Sequence, residues 1–153
     1  MQKESGFTLV EILVVIGIMA IVAAIAIPNY MSYRPKMQVK SVAREIVSDT
    51  QRAKVQAIRS QNAWGIKFDA AGKKYEIYDL GTDSAWNGVA DSLQRTFDFS
   101  DKNNVQMVVN SGANVIFYNN GTTNQFDVSI SNTDGGNLMR VRTLSAAGAV
   151  SIN

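Results

Sequence analysis

The chain has 153 residues, 15 Lys+Arg against 13 Asp+Glu, and neither cysteine nor histidine. That length suits one domain with a stem or tail. The missing Cys and His exclude disulfides, thiolate metal sites, cysteine nucleophiles and imidazole-based triads, and they leave zinc without its usual ligands.

The charge is unevenly spread. Residues 7–60 carry seven basic and three acidic side chains, a balance of +4, whereas residues 61–153 carry seven and nine, a balance of −2. A weakly acidic C-terminal part is a poor surface for general nucleic-acid binding.

The first element is an apolar run. Phe7 to Ile27 reads FTLVEILVVIGIMAIVAAIAI, 21 residues with one charge, Glu11, and Pro28 follows directly. A bilayer core takes about 20 apolar residues as a helix, so the run is read as a membrane segment. Three readings compete for it. Lys3 and the small-x-small triplet Ala24-Ile25-Ala26 fit a secretory signal cut after Ala26. An uncut signal anchor is the second reading. The third turns on Glu11, because an acid at membrane depth costs about 2.5–3.5 kcal/mol and is a functional candidate by default. Cleavage between Gly6 and Phe7 would create a free amine at the helix start. In a stack of identical stems, that amine could meet Glu11 of a neighbour and favour one axial register, since an unpaired buried charge is costly.

Gly6-Phe7-Thr8-Leu9-Val10-Glu11 and the apolar run after it resemble the prepilin signal of type IV pilins and type II secretion pseudopilins. The resemblance implies a leader, MQKESG, at 1–6, cleavage between Gly6 and Phe7 by a membrane prepilin peptidase, and N-methylation of Phe7. It implies Glu11 as the assembly and register residue and Pro28 as a helix-kinking proline. It also places the C-terminal side outside the inner membrane. The positive-inside rule argues the other way, because Arg34, Lys36, Lys40 and Arg44 follow the segment. The resemblance is followed here.

Beyond 7–28 the pattern becomes amphipathic over 29–62. Val39, Val42, Ala43, Ile46, Thr50, Ala53 and Ala57 recur at spacings of three and four, one face of a helix. Lys36, Lys40, Arg44, Arg52 and Arg59 occupy the other face, a solvated surface or a lipid-headgroup anchor. Glu45–Asp49 and Lys40–Arg44 are like-charge pairs, so the apolar face must hold the helix. An end near Gln61-Asn62 makes a stem of ~75–80 Å at 1.5 Å per residue. Pro28 and Pro35 predict a kink, or a loop between two helices.

From 63 to 153 the chain reads as strands between turns. The expected strands are 64–68, 74–80, 96–99, 105–109, 115–118, 125–131, 138–144 and 149–152. Phe126, Val128 and Ile130 alternate with Asp127, Ser129 and Ser131, as in a half-buried strand. Trp64 and Trp86 are expected as packing anchors. Val115-Ile116-Phe117-Tyr118-Asn119-Asn120-Gly121 and the ending Leu138–Arg142 with Gly148–Ile152 resemble the GspH/FimT-type minor pilins. The implied fold is α+β, the type IV pilin fold: a long N-terminal helix packed on two small antiparallel sheets.

Other chemistry is thin. Asp79, Asp83, Asn87 and Asp91 offer calcium-type oxygens but lack EF-hand spacing, so a solvated loop is the expectation. Arg140 and Arg142 share one side of a strand and could touch DNA phosphate, although the arginine-rich ending of DNA-binding relatives is replaced here by Ala149 and Ser151. No nucleophile motif or phosphate loop is present, and neither an enzyme nor a cofactor is implied. The expected function is a minor pilin or pseudopilin, a structural subunit of a type II secretion pseudopilus or type IV pilus. Its expected partners are the prepilin peptidase, other pilin subunits, inner-membrane lipid and a secreted cargo. A DNA-uptake pilin is the alternative. A major pilin is disfavoured by the missing cysteines.

Overall fold

A computed structural model describes residues 7–87, 91–145 and 147–152. One helix, α1, runs from Leu9 to Ser60. The chain divides into two compact units, one ending at Arg34 and one beginning at Pro35. In the first unit the large apolar side chains from Leu9 to Tyr33 stand exposed. The helix is long and apolar enough to cross a membrane, and its most apolar stretch has no burial of its own. Helix runs through both Pro28 and Pro35, so the expected alternative of a loop between two helices does not form. At the far end Gln61 takes a positive φ of 59°, and its side-chain amide donates to the Ile58 carbonyl at 2.8 Å. This satisfies one of the helix's orphan acceptors.

Among its described residues the second unit carries eight strands. They are β1 (Ala63–Asp69), β2 (Lys74–Gly81), β3 (Ser92–Asp98), β4 (Val105–Ser111), β5 (Asn114–Phe117), β6 (Asp127–Asn132), β7 (Met139–Thr143) and β8 (Val150–Ile152). They form two antiparallel four-stranded sheets, in the orders β3-β2-β1-β5 and β4-β6-β7-β8. The α+β architecture that the resemblance implies, a long helix with two small antiparallel sheets, is the one observed.

The seven residues of the expected apolar helix face, from Val39 to Ala57, are all buried. They pack against Ile66, Phe68, Tyr75 and Ile77 of the first sheet and Val105, Met107, Val128, Ile130 and Val141 of the second, with Thr50 alone outside this apolar cluster. Ala43, Ala53 and Ala57 are small enough for close approach of the helix. Phe68 links strands and layers, its ring centroid lying 5.9 Å from Tyr75 and 5.8 Å from Phe126. Full burial of each such large apolar side chain contributes about 1.5–3 kcal/mol.

Two expectations need correction. β3 starts at Ser92, not Thr96. Ser92, Leu93 and Gln94 lie on an exposed edge strand, where no apolar alternation is required, so periodicity could not reveal them. β6 is buried on both faces, not half-buried. Its outer hydroxyls are covered by amides of β4: Asn110 donates to Ser129 at 2.7 Å and Gln106 to Ser131 at 3.1 Å.

Gly112 lies where the chain crosses from β4 in one sheet to β5 in the other. Its φ is +67°, and an added Cβ would press on the Gln125 carbonyl oxygen and the Phe126 backbone. Gly112→Ala should therefore destabilise this unit by more than the about 1–2 kcal/mol of left-handed backbone strain alone. A urea midpoint equal to that of the parent chain would refute this.

Candidate assembly site

The first part of the site is the helix start. Thr8 precedes the first helical residue, and Glu11 is the third residue of the helix. The Glu11 carboxylate accepts from the Thr8 backbone N–H at 2.9 Å and from the Thr8 hydroxyl at 2.9 Å. In return the Glu11 N–H donates to Thr8 Oγ1 at 3.3 Å. This is a reciprocal capping box, which satisfies otherwise orphaned donors of the first turn. Sequence reasoning assigned Glu11 but missed Thr8. The signal was present, since Thr-x-x-Glu ahead of an apolar run is the signature of such a box. Phe7 is exposed beside it. Gly6 and the 1–6 leader lie outside the described residues.

The box gives Glu11 its partners within the chain. Within one chain, Thr8 supplies hydrogen bonds but no opposite charge. An amine from another chain would supply both, and charge-assisted bonds are roughly twice as strong as neutral ones.

The second part is the seat of the helix on the head. Asp49 is buried, which the sequence reading did not foresee. Its carboxylate accepts from Tyr75 Oη at 2.8 Å and pairs with Arg95 at 2.6 Å. Arg95 also reaches Glu45 at 2.8 Å. The like-charge pair Glu45–Asp49 is thus bridged by one guanidinium from β3. Burial, reinforced by the neighbouring Asp49 carboxylate, pushes the Tyr75 phenol well above its ordinary value of 10.0. Because the folded-state pKa is raised, the stabilisation is complete below about pH 10 and is lost as pH rises beyond it. The stability of this unit should fall above pH 10 with a contribution of about 1.4 kcal/mol per pH unit from this one proton. Tyr75→Phe should flatten that limb, and identical alkaline limbs for the two chains would refute the assignment.

The other expected residues behave as follows. Asp79 accepts from the Asn62 side chain and from the Gly81 N–H, and Asp83 from the Asn87 side chain. Among the described residues no group of three His, Cys, Asp or Glu side chains is placed to hold a metal ion. Asp79 and Asp83 are thus held by neutral protein donors. Arg140 is 3.6 Å from Asp127, so one of the two proposed phosphate contacts already has an acidic neighbour. Arg142 lies two residues on, in the same strand. Trp86 stacks edge-on against Tyr78 at 5.3 Å and covers Gly65, where a Cβ would collide with its ring. Trp64 is half-buried and donates to Ser60 Oγ at 3.1 Å.

Comparison with known proteins bears on the family and the fold. A family model described as type II transport protein GspH matches residues 42–148, and the prokaryotic N-terminal methylation motif matches residues 1–27. Prepilin peptidase-dependent protein D of Escherichia coli is 47% identical over 47 residues, 31% of this chain and 32% of that protein. A fimbrial protein of Pseudomonas aeruginosa is 44% identical over 46 residues, 30% of each chain. The matches thus span about a third of these relatives. The minor pseudopilin EpsH from the type 2 secretion system of Vibrio cholerae shares the fold, with a TM-score of 0.63, 14% identity and coverage of 76% of this chain and 96% of that one. The type IV minor pilin FimU of Pseudomonas aeruginosa does so with a TM-score of 0.59, 22% identity and coverage of 75% and 87%.

Proposed function

The chain belongs to the GspH family of type II transport proteins, and from that premise we propose that it is a minor pseudopilin or minor pilin built into a periplasm-spanning filament. Residues 1–6 are its leader, 7–28 its membrane and assembly segment, 29–62 the outer part of the stem and 63–153 the head. A prepilin peptidase cuts between Gly6 and Phe7, and Phe7 is then N-methylated. The subunit waits in the bacterial inner membrane with its head on the outer side. In the filament, stems pack against those of other subunits, and Glu11 sets the register through a neighbour's amine. Pro28 bends the stem where it leaves the membrane. The head selects neighbouring subunits or a secreted cargo. No catalytic role is assigned.

One observation carries the reading. Leu9 to Ile27 forms an apolar helix without a core of its own, interrupted by a single carboxylate held in its first turn. Exposed apolar surface of that extent demands a partner, either lipid or other helices. One carboxylate at its start is out of place in a plain anchor. Fractionation tests this directly. The chain should appear in sheared or purified filaments at far below the level of the main subunit, and its head should be cut by trypsin added to spheroplasts. Protection of the head in intact spheroplasts, together with absence from filaments, would refute the reading.

A further inference from the structure

A cleft of about 230 Å³ opens between the last turns of α1 and the first sheet, lined by Arg52, Gln56, Trp64, Ile77, Gln94 and Arg95. Its wall is built by an irregularity in β3. Ile77 pairs with Arg95 but Tyr78 pairs with Leu93, so Gln94 is an extra, bulged residue. Consecutive strand residues normally face opposite sides. Here the bulge lets both Gln94 and Arg95 line one cleft, a re-aiming typical of such insertions.

The chemistry of the lining is cationic and amide-rich. Arg95 is engaged by Asp49 and Glu45. Arg52 is exposed and, among the described residues, makes no ion pair. Asp49, three residues before Arg52, is already taken by Arg95 and Tyr75. From Thr50 to Ser60 the helix carries Arg52, Lys54 and Arg59 and no acid. Lys54 is turned to the Ala147 carbonyl. A neighbouring groove shares Arg52 and Gln56 and adds Val55 and Arg59, so the basic surface continues past the cleft. The volume lies below the roughly 300–1,000 Å³ of small-molecule sites, which points to one side chain and not a cofactor.

We propose that this cleft is the docking site for an acidic side chain of a neighbouring filament subunit, received by Arg52 and the Gln56 amide over the Trp64 ring, with Gln94, whose amide donates to Ser92, forming the wall. The inference rests on the reading of the chain as a filament subunit. Its partner is specified by charge and by size: one Asp or Glu on a protruding segment.

The test places a photo-crosslinking residue at Val55 (Val55→p-benzoylphenylalanine) in the full chain in its own cells, which leaves the cleft lining unchanged. Adducts are mapped by mass spectrometry in the parent, Arg52→Glu and Arg52→Lys backgrounds. The expected adduct lies in an Asp- or Glu-bearing segment of another filament subunit. Its yield should fall at least about tenfold in Arg52→Glu, the effect of losing one charge-assisted hydrogen bond, and persist in Arg52→Lys. Reversing the partner's acid to Arg should restore the adduct to Arg52→Glu. An adduct in an acid-free segment, in nucleic acid or in lipid would overturn the proposal, as would a yield insensitive to Arg52→Glu. A chain present in filaments at the normal level but without the Arg52-dependent adduct overturns this inference alone. A chain that is never processed and never found in filaments overturns the filament reading, and this inference with it.

Discussion

Arg95→Ala should destabilise the head by about 3 kcal/mol, near the lower end of the about 3–5 kcal/mol expected for breaking a buried ion pair. The substitution leaves the Asp49 carboxylate buried with Tyr75 Oη as its remaining hydrogen-bond donor among the described residues. The lower end applies because the Arg95 side chain is 36% exposed, and water can follow into the space it vacates. Glu45→Ala removes the other arm of the same guanidinium. Glu45 is 37% exposed, so its pair with Arg95 should be worth about 0–1 kcal/mol. The two losses measured by urea unfolding of the detergent-solubilised full chain should differ severalfold. Equal losses would mean that Asp49 is not the anchor of the helix on the sheet. A domain of this size is stable by about 5–15 kcal/mol, so the larger loss is a substantial fraction of the whole.

Glu11→Ala should leave membrane insertion and cleavage intact while filament incorporation falls at least about tenfold, the equivalent of 1.4 kcal/mol. Insertion should not suffer, because removing a carboxylate from membrane depth relieves a cost of about 2.5–3.5 kcal/mol. Assembly should suffer, because the neighbour's amine then enters the apolar bundle unpaired. The capping box offers a second explanation for any loss, and two further variants separate them. Thr8→Ala removes the box but keeps the charge, and it should cost about 1 kcal/mol of helix-start stability with modest loss of incorporation. Glu11→Gln keeps an acceptor for Thr8 but removes the charge, and it should behave like Glu11→Ala. Normal incorporation of Glu11→Ala would refute the register role. Equal defects in Thr8→Ala and Glu11→Ala would assign Glu11 to the cap.

Strands were legible wherever burial imposed a pattern. Ile66, Phe68, Tyr75 and Ile77 alternate because each faces the helix, and each expected strand overlaps an observed one. The helix face from Val39 to Ala57 was legible for the same reason. The first residues of β3 were not, since an exposed edge strand has no apolar constraint. The division into two sheets came from the family resemblance and not from periodicity, which cannot say which strands pair.

Asp49 was illegible for a specific reason. A carboxylate at a helix position adjoining the apolar face looks like a flank residue. It becomes a core residue only when Arg95, 46 positions away, and Tyr75 reach it. Ser129 and Ser131 were misjudged likewise, because their covers, Asn110 and Gln106, come from a neighbouring strand. The local part of the assembly site was fully written in the sequence, as Thr8-x-x-Glu11. The cleft beside Arg52 was not, because it depends on a one-residue bulge at Gln94 that no composition signal marks.

The most direct test of the account is the N-terminal sequence and exact mass of the chain purified from its own membranes. The account predicts a chain that begins at N-methylated Phe7, with the full stem retained. A chain beginning at Ile27 would contradict it, for the apolar helix and Glu11 would then have been discarded and no assembly could run through them.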